Sequence, residues 1–232
     1  MRTPARFAGL GLAAALALTG CSMGGATASE TEPSSTPMGE EMTDETTTVD
    51  TVNSDGAGLR ATLTALLTDH VYLAGAAINQ ALADGGDLEA PLTAAAVAAL
   101  DENSVEVAAA VGSVYPDAEE PFLESWRSHI PLFVDYTLGK VSDDQAMVDE
   151  AVSGLEQYAV SFGELINSVV PELPAEAVQM ELEMHATSLI AAIDANVAGD
   201  PEYFNLLKEA ASHMPMTATA LAGGIAADRN IQ

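Results

Sequence analysis

From residue 58 to residue 225 the large apolar side chains recur every three to four positions, and no segment alternates with a period of two. That spacing lines apolar groups along one face of an α-helix, whereas a half-buried strand needs them at every second residue. Six helical segments follow. The first runs from about Leu59 to Asp84, with Leu59, Leu63, Leu66, His70, Leu73, Ala77 and Ala81 on one face, and Gly85-Gly86 ends it. The second spans about Leu88 to Val114 and stops before Pro116. The third starts near Pro121 and aligns Phe122, Trp126, His129, Phe133 and Tyr136. The fourth opens with the capping pattern Ser142-Asp143-Asp144-Gln145 and carries Met147, Ala151, Leu155, Tyr158, Phe162 and Leu165. The fifth begins near Pro174 and aligns Val178, Leu182, His185, Leu189, Ala192 and Asn196. The sixth begins with Asp200 as N-cap and Pro201, then Leu206, Ala210, His213, Thr217, Leu221 and Ile225, with Gly223-Gly224 read as a fraying end. Short connections make neighbouring helices antiparallel. The expected fold is therefore all-α, an antiparallel bundle of about six helices in three helical hairpins, over residues 58–232.

The chain ahead of the bundle reads differently. Residues 1–20 join a positive start, Arg2 and Arg6, to an apolar run from Phe7 to Leu18, too short to span a bilayer as a helix of about 20 residues. Leu18-Thr19-Gly20-Cys21 resembles the lipobox of bacterial lipoproteins. The resemblance implies a cleaved signal peptide and a lipid on Cys21. It also implies a cell-membrane location with the protein on the extracytoplasmic face. Cys21 is the only cysteine. With its thiol lipidated, disulfides, thiol catalysis, zinc–thiolate sites and iron–sulfur clusters are excluded.

Residues 21–57 form an acidic tether after the lipidated cysteine, rich in Ser, Thr, Glu, Gly and Pro and without basic residues. So polar a stretch buries too little apolar surface to offset chain entropy. Its Met38 and Met42 read as solvated linker. Without residues 1–20 the chain carries 35 acidic against five basic residues. Nucleic acid is excluded as a partner, because phosphate contacts need clustered Lys and Arg. The acids are spread over every exposed helical face, which suits a solvated surface in high external salt better than a ligand cluster.

The sequence holds four histidines, His70, His129, His185 and His213, all mid-helix on apolar stripes. An unpaired imidazole is costly to bury, so four in one core need partners. A bound metal, a haem with two axial histidines, or mutual hydrogen bonding would supply them. His70, His129 and His185 sit on the first helix of each hairpin, spaced by 59 and 56 residues, as in a faint internal repeat.

Neighbouring residues narrow the choice. A di-iron site needs Glu three residues before His, whereas these positions hold Leu67, Trp126, Leu182 and Ala210. His-Glu-x-x-His is absent, as are a phosphate loop, a nucleophile elbow and a dinucleotide fingerprint, so no enzymatic machinery is evident. Glu181 and Glu209 stand four residues before His185 and His213, where they could orient or join the rings. Met180, Met184, Met214 and Met216 flank the same two histidines, and thioethers with imidazoles suit copper. Packing explains those methionines nearly as well. Ser128-His129-Ile130-Pro131 and Ser212-His213-Met214-Pro215 share a pattern in which a mid-helix proline bends the helix beside the ring.

Asp69-His70 with Leu73-Ala74, the run Trp126-x-x-His129-Ile130 through Asp135-Tyr136, Met184-His185, and Ala210 to Met214 carry a further likeness. Leu59 to Ile225 resembles an all-α domain of secreted Gram-positive proteins, sometimes joined to a domain like the N-terminal part of copper amine oxidases. The resemblance implies that the four histidines work together, and implies no amine oxidation. The expectation is a lipid-anchored binding protein with His70, His129, His185 and His213 lining a metal site, copper first. Met184, Met214, Glu181 and Glu209 are accessory to it. The rivals are a structural or protein-interaction lipoprotein without ligand, and a bis-histidine haem bundle.

Overall fold

A computed structural model describes residues 52–231, so Cys21, the signal peptide and nearly all of the tether, with Met38 and Met42, lie outside the described residues. Among these residues the secondary structure is all helical. α1 covers Asp55–Ala83 and α2 Pro91–Gly112. A short 3-10 turn at Pro116–Ala118 leads into α3 (Glu119–Ser128) and α4 (Ile130–Ser142). α5 (Gln145–Val169), α6 (Ala175–Val197), α7 (Tyr203–Ser212) and α8 (Met214–Arg229) complete the chain. α3 with α4, and α7 with α8, are the expected third and sixth helices, each divided at a histidine two residues before a proline. The all-α bundle of three hairpins is thereby present: α1 with α2, α3–α4 with α5, and α6 with α7, which leads into α8 along α1.

Local chemistry sets the boundaries. α1 begins three residues inside the stretch expected to be tether, because the Ser54 hydroxyl accepts from the Ala57 amide at 3.3 Å and Asp55 faces the positive helix end. It ends where Gly85 and Gly86 take φ of +69° and +87°, a region that favours glycine. α5 is capped by Asp144, which accepts from the amides of Ala146 and Met147, so the cap is the third residue of the expected pattern.

α1 is the central element, packed along α2 on one side and α8 on the other, with α6 and α7 also against it. Polar ties fix the remaining helices. Tyr203 donates to the Gly75 carbonyl at 2.9 Å, joining α7 to α1, and Tyr136 donates to Asp194 at 2.9 Å, joining α4 to α6. Lys140 also reaches Asp194, at 2.9 Å. Arg127 holds Asp101 of α2 through two bonds of 2.7 and 2.8 Å.

Gly223-Gly224 is not a fraying end: α8 continues to Arg229, and Gly224 is buried where any side chain would strike Leu173. Gly163 of α5 serves the same purpose against the start of α6, since a β-carbon there would stand 2.5 Å from the Ala175 carbonyl oxygen. Backbone cannot yield as a flexible side chain can. Gly163→Ala is therefore expected to lower stability by about 1–3 kcal/mol in a urea melt followed by circular dichroism. Gly223→Ala, where nothing lies within 4 Å, is expected to leave stability unchanged or raise it.

Candidate functional site

The first helix of each hairpin brings its histidine to the interior of the bundle. His70 comes from the middle of α1, His129 from the joint between α3 and α4, and His185 from the middle of α6. At the His129 joint Pro131 has no amide to give the carbonyl of Arg127, and the backbone turns at φ −81°, ψ −22°. His70 and His129 are 4% and 6% exposed, and their Nε2 atoms stand 3.4 Å apart.

A chain of hydrogen bonds orients this pair. Asn103, a buried polar residue on α2, donates through Nδ2 to the Leu66 carbonyl at 3.0 Å, which turns its Oδ1 toward His70 Nδ1, also at 3.0 Å. An amide oxygen only accepts, so His70 must be protonated on Nδ1 and carry a lone pair on Nε2. Two lone pairs would repel. Either His129 donates from its Nε2 across a separation long for such a bond, or a cation stands between the two nitrogens. In the first case His129 Nδ1 is a bare lone pair, and that atom is buried with no hydrogen bond; the Trp126 carbonyl near the ring does not meet bonding geometry. His185 Nδ1 is likewise buried and without a partner.

Burial holds all three rings neutral. It pushes His70 down to about 4, against the opposing pull of the Asn103 hydrogen bond. It pushes His129 well below the ordinary histidine value; repulsion from any proton on His70 or His185 adds to this, and the Trp126 backbone opposes it. His185 is pushed down to about 4 by burial, then by His70 and His213. A neutral imidazole is the form that ligates metal.

The three rings form the common wall of two apolar cavities. One, of about 200 Å³, is bordered by the aromatic cluster Phe122, Trp126, Tyr158 and Phe162. The other, of about 570 Å³, runs between α1, α2 and α4 toward the exposed side chains Leu88, Leu138 and Val141.

His213 stands apart. At the joint of α7 and α8 it is half-exposed, in an outer groove with Met180, Met184, Glu183 and Glu209. Met214, one residue on, turns inward and borders the aromatic cavity. Glu181 accepts from the Thr217 hydroxyl at 3.1 Å and has no bond to a ring. So the structure gathers three of the four expected histidines and leaves the fourth, with Met184 and Glu209, on another face. Among the described residues no group of three or more His, Cys, Asp or Glu stands in ligating range together. The His70–His129 pair is formed; His185 lies beyond it.

Sequence reasoning passed over Asn103, although a polar residue disfavoured in helix interiors and set on an apolar face is a readable signal. It placed Trp126 and Tyr158 in the core as packing groups, yet Trp126 Nε1 and the Tyr158 hydroxyl are buried without partners. No family model, curated protein or solved structure matches the chain.

The depressed rings make stability depend on pH. Unfolding releases them to about 6.5, so below that value the unfolded chain binds more protons and the fold is penalised. Their stabilising contribution is complete above about 6.5 and declines as pH falls toward about 4, by roughly 3 kcal/mol for a ring shifted that far. Between pH 7.5 and 5, where carboxylates stay ionised, the urea midpoint of the metal-free chain is expected to fall. Replacing His70 and His185 by Gln should reduce that slope to the part that His129 supplies; a midpoint already flat in the unaltered chain contradicts the burial of neutral rings.

Proposed function

We propose that the chain is a lipid-anchored extracytoplasmic binding protein whose bundle holds a transition-metal ion, copper first, on the facing pair His70 and His129, with His185 in the same cavity wall. The observation that carries this reading is the facing pair of Nε2 atoms at 3.4 Å. With metal–nitrogen bonds of about 2.05 Å that separation subtends about 112° at the ion, close to a tetrahedral angle. Asn103 fixes the His70 tautomer as outer-shell partners of metal-bound histidines do. A proton would then stand on His129 Nδ1, and the buried nitrogen would cease to be a bare lone pair. The Met214 thioether in the adjoining wall favours a soft ion, copper above all. Membrane attachment rests on the lipobox resemblance at Cys21.

A haem has less support, since the facing rings leave no space for a macrocycle between them. The rival with a specific observation behind it is structural. Leu66, Asn103, His70 and His129 can form an unbroken relay that clasps α1, α2 and the α3–α4 joint with no ligand.

The full-length chain, purified without an affinity tag and equilibrated with copper, zinc and iron, decides between them by elemental analysis after desalting. One ion per chain, copper ahead of zinc, is expected to be retained. His70→Ala or His129→Ala should lower affinity at least 100-fold, Asn103→Ala about 10- to 100-fold, and His213→Ala less than 10-fold. No retained ion, or retention unchanged in folded His129→Ala, would leave the relay as a structural clasp.

A further inference from the structure

The outer groove between α6 and α7 holds a donor set of its own. Met180 and Met184 stand one helical turn apart on α6, so their side chains share a face. α7 packs along α6 and ends at His213, which brings that ring, with Glu209 one turn before it, to the same groove. The sequence pattern pools these residues with the interior histidines. The structure parts them, so the outer set is a separate site or none.

Three observations make it a site. Its thioethers are available: Met180 and Met184 are 57% and 42% exposed, so neither fills a gap in the core, the usual use of methionine. The His213 ring is available too, because it is half-exposed and among the described residues no protein group hydrogen-bonds either of its nitrogens. The surroundings draw a cation: Glu183 and Glu209 line the groove, no Lys or Arg does, and the whole sequence carries a net charge of −28.

The same donors decide which cation. Zinc and harder ions draw on imidazole, carboxylate and thiolate. Among the described residues no three His, Cys, Asp or Glu stand in ligating range together, which leaves such an ion without three protein ligands in the groove. Thioether sulfur changes that count for a soft ion alone, to which Met180, Met184 and His213 offer two sulfurs and a nitrogen. Glu209 then offsets the positive charge without having to ligate.

We propose that Met180, Met184 and His213 form an exposed binding site for a soft monovalent metal ion of the cuprous kind, separate from the buried His70–His129 pair. Open to water and without hydrogen-bonded partners behind its ligands, it exchanges its ion readily and empties on desalting. It uses none of the residues of the buried pair and does not rest on the reading of that pair.

Silver(I) is the probe, because it takes the same soft ligands and undergoes no redox change. It is titrated into the full-length chain bearing Cys21→Ser, which removes the only thiol that would compete. The methionine methyls are carbon-13-labelled and read by NMR, with Met180→Leu and Met184→Leu assigning their signals. Both signals are expected to shift together and saturably, with Met147 of α5 unmoved and zinc(II) without effect. His213→Ala, at a half-exposed position, and Met184→Leu, which keeps size and apolarity, should each weaken silver binding at the Met180 signal about tenfold, with the fold checked by circular dichroism. Met180 and Met184 methyls that stay in place, or shifts confined to other methionines, overturn the proposal. So do the same shifts produced by zinc, or an unchanged silver affinity in folded His213→Ala. Met184 borders the outer groove and not the aromatic cavity beside the histidine pair, so its signal reports this site and not the buried one. Failure to retain an ion after desalting would leave this proposal standing, and failure here would leave the buried pair untouched.

Discussion

The relay from the Leu66 carbonyl through Asn103 to His70 and on to His129 is the interaction on which the interior of this bundle depends. It crosses three elements, α1, α2 and the α3–α4 joint, at the depth where water is excluded. Unpaired polar groups at such a depth would each cost several kcal/mol against a total stability that is seldom more than about 15. Asn103 satisfies both ends of its amide there, and in doing so it dictates which nitrogen of His70 carries a proton. The chemistry open to His129 follows: it gives a proton to His70 or shares an ion with it. Burial then keeps every ring in the set neutral, so the wall between the two cavities is polar without being charged.

The two proline joints show how one local pattern yields two environments. Ser-His-x-Pro breaks the helix at His129 and at His213 with nearly the same backbone angles. At the first joint the preceding turns bury Phe122 and Trp126, and the bend delivers the ring to the interior. At the second, the buried stripe is Tyr203, Leu207, Ala210, Ala211 and Met214, and His213 falls one step off it. The ring lies instead beside Met184 and Glu209 in the outer groove.

That phase difference explains what the sequence made legible. The helical period, the hairpin connectivity and both bends were readable from apolar spacing, glycine pairs and prolines. The three converging histidines were readable too, as the residues repeated on the first helix of each hairpin. For the last hairpin, however, Leu206, Ala210, Thr217, Leu221 and Ile225 suggested a stripe containing His213, whereas the buried face runs through Leu207, Ala210, Ala211, Met214, Ala218 and Ala222, mostly small residues. Small residues weigh little in a hydrophobicity pattern, yet they allow the closest helix approach and so win the interface. Gly224 was misread for the same reason: lacking a side chain, it looked like an ending where it is a contact with Leu173. The cavities lay beyond reach, because a void is a property of how faces meet rather than of any one face.

The most direct test of the central claim is the protonation of each ring nitrogen, read by long-range nitrogen–proton correlation NMR on the metal-free chain with labelled histidines at pH 7. The account predicts His70 neutral with its proton on Nδ1, His129 neutral with its proton on Nε2, and His185 neutral. A proton on His70 Nε2, or a charged imidazolium among the three, would contradict it.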